Sequence, residues 1–422
     1  MGILSNMINI NSKIYIKFFS LLIYLYPLTL IFSVFLSNLI VSLVSLFAII
    51  NIKDIKFNKF LKNKYFLLFL MFWFYISLRS IFLENILFSI KSSFLFIKYL
   101  FFTLTIIILI DRNKNFVSNF LKFFLIIYFA LASDALIQFF YGKNLLGYNA
   151  LNIENNRISG FFGDELILGS YVARLSFLII ALLAISNFKD KKIIIFVVLF
   201  LSFIIGLISG ERTALALSCM SILYYIIQTH SIRSNIKITI LTSISILFII
   251  FYSLSEKIQS RMAMTFTDIQ TADNILTFTK GHQSHYGTAV NLFNDNILFG
   301  QGANMFRKRC SEKNFFVEPY GCSTHPHNIY LQLLAETGFI GFLFIIFLFY
   351  KIIAYSLKHF YSKYILKKVF LTEFELCILT CFLINFWPII PTGNFFSSSF
   401  GNIAILPISF AFLSNKINKN FF

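Results

Sequence analysis

His325-Pro326-His327-Asn328 stands where a long polar stretch gives way to an apolar run. Thr324 or His325 is expected to cap a new helix there, with Pro326 in its first turn, where the leading N–H groups lack partners anyway. His327 then sits at the positive end of the helix dipole. That position disfavours imidazolium and leaves a neutral ring able to accept a proton. The same N–H groups attract anions. Asn328, Gln332 and Glu336 recur every four residues, so they share one helix face, and a polar stripe in an apolar span is expected to face the bundle interior. Gly338 and Gly341 leave room for close approach of a neighbouring helix. Histidines beside a helix cap also occur as plain interfacial residues.

Two arginines extend the chemistry. Arg157 lies in Asn156-Arg157-Ile158-Ser159-Gly160, and Arg212 in Gly210-Glu211-Arg212-Thr213. A guanidinium stays charged and grips phosphate oxygens in pairs, so two of them near a helix N-terminus could hold a diphosphate and stabilise it as a leaving group. Each could equally reach lipid headgroups, or pair with Glu211 or Asp164. His282, His285, His325 and His327 raise zinc as a rival, but their spacing fits no zinc motif.

The elements that position these residues are set by composition. Of 422 residues, 58% are hydrophobic and only 13% charged, with a mean hydropathy of +0.79. No soluble domain of this length has that balance; the chain reads as an all-α polytopic membrane protein. The net charge of +18 is therefore distributed over loops and implies no nucleic-acid partner. Residues 14–51 are long enough for two helices turning near Ser37-Asn38, the first an anchor and not a removed signal. Ten more apolar stretches follow, giving about twelve spans, with a long loop at 255–326 before the tenth. Every connector on the N-terminal side of the membrane carries Lys or Arg, including Lys53, Lys56, Lys59, Lys62, Lys191 and Lys363. The opposite connectors carry most of the acidic residues, Glu84, Glu154, Asp268 and Asp273 among them. The positive-inside rule places both termini in the cytoplasm, and Arg157, Arg212, His327 and the long loop together on the outer face. Lys98, Asp134 and Arg174 fall within spans, as they would in a transporter, the rival class. Asp134 and Arg174 lie at similar depth on consecutive helices and are expected to pair, unless Arg174 reaches the ligand instead.

His327-Asn328, nine residues, Gly338, two residues, Gly341 resembles the signature of the O-antigen ligase and O-antigen polymerase superfamily. The segments around Arg157 and Arg212, in that order, and Phe299-Gly300-Gln301-Gly302 in the long loop are similar to other landmarks of that family. Recognisable motifs cover about 150–345, inside one integral membrane domain of 1–422. The Arg157 segment, with Gly163-Asp164-Glu165 and Gly169-Ser170-Tyr171, leans toward polymerases; the histidine pattern is equally ligase-like.

The resemblance implies a metal-independent inverting glycosyltransferase of the bacterial inner membrane, using no cofactor. Its donor would be a glycan on undecaprenyl diphosphate, and its acceptor another glycan or a glycolipid, with a chain-length regulator as a further partner. His327 would be the general base, and Arg157 and Arg212 would hold the diphosphate. Arg174, His325, Asn328, Glu165 and Arg307 are the candidate substrate-binding residues, Arg307 with Arg309 at the site mouth. Cys310 and Cys322 share the outer loop, where an oxidising periplasm would join them as a disulfide.

Overall fold

The computed structural model describes residues 13–52, 62–83, 85–150, 157–271 and 278–414. Lys53, Lys56, Lys59, Glu84, Glu154, Asn156 and Asp273 lie outside them. Among the described residues the chain is helical and holds no strand, only an isolated bridge between Lys143 and Asn149. The helices are α1 (Lys13–Phe32), α2 (Val34–Ile50), α3 (Lys64–Ile81), α4 (Ile86–Phe94), α5 (Lys98–Arg112), α6 (Phe116–Tyr141), α7 (Leu168–Ile185) and α8 (Lys191–Ile208). There follow α9 (Arg212–Gln228), α10 (Ser234–Leu254), α11 (Glu256–Thr271), α12 (Lys280–Asp295), α13 (Phe306–Arg309), α14 (Ile329–Tyr364), α15 (Glu373–Asn385) and α16 (Ser398–Ala411).

Among the described residues, eight stretches are long and apolar enough to cross a membrane: α1, α3, α4 running on into α5, α6, α7, α8, α10 and α14. The other four expected spans coincide with α2, α9, α15 and α16, of 17, 17, 13 and 14 residues. The first turn comes earlier than expected, at Ser33 and not at Ser37-Asn38. Ser33 is extended, and its hydroxyl caps α2 by accepting from the Leu36 N–H at 3.2 Å. The expected sidedness has a direct check. Reporter fusions at Lys62, Lys191 and Lys363 are expected to read cytoplasmic and a fusion at Lys280 periplasmic; a cytoplasmic reading at Lys280 would separate the histidines from the outer face.

α7 is the central helix. It is buried over most of its length, as suits a segment apolar on every side, and packs against α8, α9 and α15. Gly169 in its first turn permits the crossing with α9: a Cβ there would collide with Ser209 and Ala214. α10 is the opposite case, with Ile240 its single buried residue among those described.

The three charges expected within spans are each engaged locally. Lys98 Nζ donates to Asn38 Oδ1 at 3.0 Å. Asp134 and Arg174 do not pair. Asp134 turns to the following loop, accepting from the Leu145 N–H at 2.9 Å and Asn144 Nδ2 at 3.3 Å. Arg174 points across to α15, donating to Asn385 Oδ1 at 3.0 Å and Ile384 O at 3.3 Å, with its guanidinium 5.7 Å from the Phe400 ring centre. Both charges are satisfied without an ion pair, so depth on consecutive helices did not bring them together.

The long loop is largely built structure, holding α11, α12 and α13. An internal segment of it breaks α14. Gly338 adopts φ 62°, ψ −170°, and residues 297–302 lie against the gap. Phe339 N and Ile340 N donate to Ile297 O (2.8 Å) and Leu298 O (3.3 Å); Gln301 N and Gly302 N donate to Ala335 O (2.9 Å) and Glu336 O (2.7 Å). These bonds satisfy backbone groups that the break releases. A Cβ on Gly338 or on Gly300 would strike the facing backbone. Gly338 thus admits a loop, not the neighbouring helix expected from the sequence.

Candidate functional site

The N-terminal end of α14 is mounted on two loops. Asn328 is the N-cap, accepting from the Tyr330 and Leu331 N–H groups at 2.9 and 3.1 Å and donating to Pro388 O at 2.7 Å. The cap is therefore not Thr324 or His325, and Pro326 and His327 precede the helix. His327 has φ 58°, a left-handed conformation uncommon for a non-glycine residue. Thr392 fixes it there. The Thr392 N–H donates to His327 O at 2.8 Å, its hydroxyl accepts from the Ile329 N–H at 3.0 Å, and its carbonyl meets His325 Nε2 at 3.1 Å. Below the cap, Gln332 Nε2 donates to Asn394 Oδ1 (2.7 Å) and to Glu336 Oε2 (3.0 Å). The Glu336 carboxylate accepts the Asn304 and Phe306 N–H groups at 3.0 and 2.9 Å. The stripe expected to face the bundle interior is buried, and it knits both loops to α14.

Four imidazoles meet at this mount. The His327 ring centre lies 4.2 Å from that of His325, 5.4 Å from His285 and 5.5 Å from His282. His325 uses both ring nitrogens, Nε2 on Thr392 O and Nδ1 on the Thr324 hydroxyl at 2.9 Å. His282 Nδ1 meets the Thr279 hydroxyl at 3.1 Å. The His327 ring takes no hydrogen bond among the described residues, which leaves it open to a ligand. Burial, and then the neighbouring imidazoles, push His327 down to about 3. Burial does the same to His325, to about 4. Desolvation, and not the helix dipole expected from the sequence, is the first cause of the shift that favours a neutral ring at His327. Among the described residues no three of His, Cys, Asp or Glu come together in a metal-holding arrangement.

An arginine cluster adjoins the imidazoles, and Arg212 is near enough to His282 to help depress its pKa, after burial and His285. Glu211 organises it. Its carboxylate caps α7, accepting Gly169 N at 2.7 Å, Ser170 N at 3.3 Å and the Ser170 hydroxyl at 2.6 Å. The starts of α7 and α9 are thus locked together, although burial raises the Glu211 pKa. Arg157 donates Nη2 to Leu166 O at 2.7 Å. Arg212 pairs with Asp268 at 2.6 Å. Arg261, not singled out in the sequence, donates Nε to Gly210 O at 3.0 Å. Burial lowers the pKa of Arg157 and of Arg261; Arg212 depresses both further, while Glu211 opposes the shift at Arg157 and Asp268 opposes it at Arg261. Among the described residues, the Nε–H groups of Arg157 and Arg212 are buried without a partner.

The remaining candidates divide. Arg307 is exposed, and its charge helps depress the His325 pKa after burial, so it borders the imidazoles. Arg309 is turned away from the mouth, held by Glu312 at 2.9 Å and by Gln301. Arg174 is engaged with α15, as above. Glu165 is exposed on the loop before α7. Cys310 and Cys322 are joined as a disulfide with Cα atoms 4.9 Å apart, tying α13 to the segment that leads into His325.

Residues 196–346 match the family model described as O-antigen ligase. Over that stretch the chain is similar to the O-antigen ligase family. The matched stretch takes in Arg212, Arg261, all four clustered histidines and the broken start of α14; Arg157 precedes it. A search of curated proteins found no match to the chain. That likeness and the apolar helices point to a membrane protein of ligase- or polymerase-like function; members of that family are glycosyltransferase-like enzymes whose substrates are a lipid-linked saccharide and an acceptor glycolipid.

Proposed function

We propose that the chain is a metal-independent, inverting glycosyltransferase of the bacterial inner membrane. It takes a glycan from undecaprenyl diphosphate at the periplasmic face and acts as a polymerase of O-antigen or a related surface polysaccharide. The observation that carries this reading is the adjacency of an imidazole open to a ligand, His327, and a cluster of arginines with unpartnered buried N–H groups. In this reading His327 takes the proton from the acceptor hydroxyl as that oxygen attacks the anomeric carbon. Arg157 and Arg212 hold the diphosphate and offset its charge as the glycosidic C–O bond breaks. Asn328 and Thr392 keep His327 in its left-handed conformation. An apolar cavity of about 250 Å³ inside the helix bundle gives a lipid chain a place to lie. It is lined by Phe72, Phe96, Phe386 and Phe395, and Phe395 N is bonded to Gln332 one turn below the cap.

A ligase would use the same donor chemistry with a different acceptor. The purified protein given lipid-linked repeats alone is expected to lengthen them. Transfer only when lipid A core is added would assign it as a ligase.

The pH dependence follows from the imidazole pKa values. A base depressed to about 3 is unprotonated above that pH and loses its function only below it. The kcat/KM profile is expected to show no acid limb near 6.5, the ordinary histidine value, and to stay level down to about pH 4–5. An acid limb near 6.5 would mean that the base sits in a wetter site than the one described.

A further inference from the structure

The arginine cluster already holds an anion, and that anion is part of the chain. Arg261 and Asp268 are seven residues apart on α11, so they project from one face of it. Asp268 Oδ2 lies 2.6 Å from Arg212 Nη1, and the side chains are 44% and 27% exposed, so water reaches the pair. α11 is lightly anchored. Ile258 is its buried apolar residue among those described, and Arg261 Nε ties it to Gly210 O. The other carboxylate of the cluster, Glu211, spends its oxygens on Gly169 and Ser170. Among the described residues, three guanidiniums therefore share little negative charge, and two of them keep buried Nε–H donors unused.

We propose that Asp268 stands in for a phosphate oxygen at Arg212, and that Arg261 is a third arginine of the same anion site. The diphosphate of the donor displaces Asp268, α11 shifts outward or the Asp268 side chain turns away, and Arg261 closes on the ligand. This rests on the proposed diphosphate donor for the ligand's identity. The physical argument is one of competition. Three clustered cations without a ligand are mutually repulsive, and a half-exposed carboxylate relieves this cheaply because such a pair is weak. A diphosphate brings more charge and fills guanidinium forks two oxygens at a time, so it wins the exchange. The latch also keeps weaker anions out of the empty site.

Binding of inorganic pyrophosphate to the purified full chain in detergent, followed by calorimetry, tests this. Removing an exposed competing pair is expected to tighten binding about two- to fivefold in Asp268→Asn. Asp268→Glu keeps the competing charge and is expected to bind as the unaltered protein does. Arg261→Gln is expected to weaken binding about tenfold or more, and Arg261→Lys by less. Unchanged or weaker binding by Asp268→Asn, unchanged binding by both Arg261 variants, or no pyrophosphate binding at all would overturn the proposal. The readout involves no saccharide transfer. Pyrophosphate binding with these shifts in a protein that transfers nothing would leave the latch standing and remove the glycosyltransferase reading. Transfer by a protein whose Asp268→Asn variant binds pyrophosphate unchanged would do the reverse.

Discussion

His327→Ala is expected to slow saccharide transfer by about two to four orders of magnitude, the usual contribution of a positioned general base. Pyrophosphate affinity should stay near that of the unaltered protein, because the arginines reside on other elements. The side chain carries little of the local structure. Its ring bonds to no described residue, and the Thr392 contact runs through the His327 carbonyl, which alanine retains. Alanine in a left-handed conformation costs about a kcal/mol or two, which the cap at Asn328 and the Thr392 bridge can absorb. His325→Ala is a different experiment, since it removes the contacts to Thr392 O and Thr324 and loosens the mount itself. Initial rates in proteoliposomes, with far-ultraviolet circular dichroism as the folding check, decide the matter. Ordinary turnover by folded His327→Ala would end its role as base.

Arg212→Lys and Arg157→Lys are expected to cost about a hundredfold each in kcat/KM while leaving the protein folded. Lysine keeps the positive charge, so Asp268 and Glu211 are not left facing an uncompensated site. It lacks the planar fork that matches paired phosphate oxygens, and the lost charge-assisted bonds are worth about 1.5–3 kcal/mol. Arg157 has a further constraint, because its Nη2 already holds Leu166 O and fixes the direction in which the remaining N–H groups point. An ammonium cannot hold that carbonyl and a phosphate in the same geometry. Equal rates for arginine and lysine at both positions would show that these residues act as diffuse charges and not as a fitted clamp.

The membrane class, the order of the apolar segments and the grouping of Arg157, Arg212 and His327 in one region could be read from the chain. Composition and hydropathy run along the sequence, and so do a polar residue in an apolar setting and a glycine in a fixed motif. What could not be read depends on contacts between distant segments. Thr392 lies in a short Pro391-Thr392-Gly393 turn that looks like any interhelical connector, yet it bonds to residues 325, 327 and 329. Arg261 sits in a helix whose sequence resembles an exposed amphipathic one, and its place beside Gly210 appears only once α11 folds back. The sequence points to Thr324 or His325 as the helix cap, because both stand just before the apolar run. The left-handed backbone at His327 delays the start of the helix and makes Asn328 the cap instead. Gly338 reads in the sequence as a point of close approach for a neighbouring helix, whereas the segment that approaches it is the 297–302 loop that breaks α14.

The most direct test of the account is a stoichiometry measured on the purified, reconstituted protein. Given a polyprenyl-diphosphate-linked saccharide after exhaustive chelation, each new glycosidic bond should appear with one released polyprenyl diphosphate and an inverted anomeric configuration. His327→Ala should form neither product at more than a trace of the rate. Movement of the intact lipid-linked saccharide across the membrane without bond formation, or equal bond formation by His327→Ala, would contradict it.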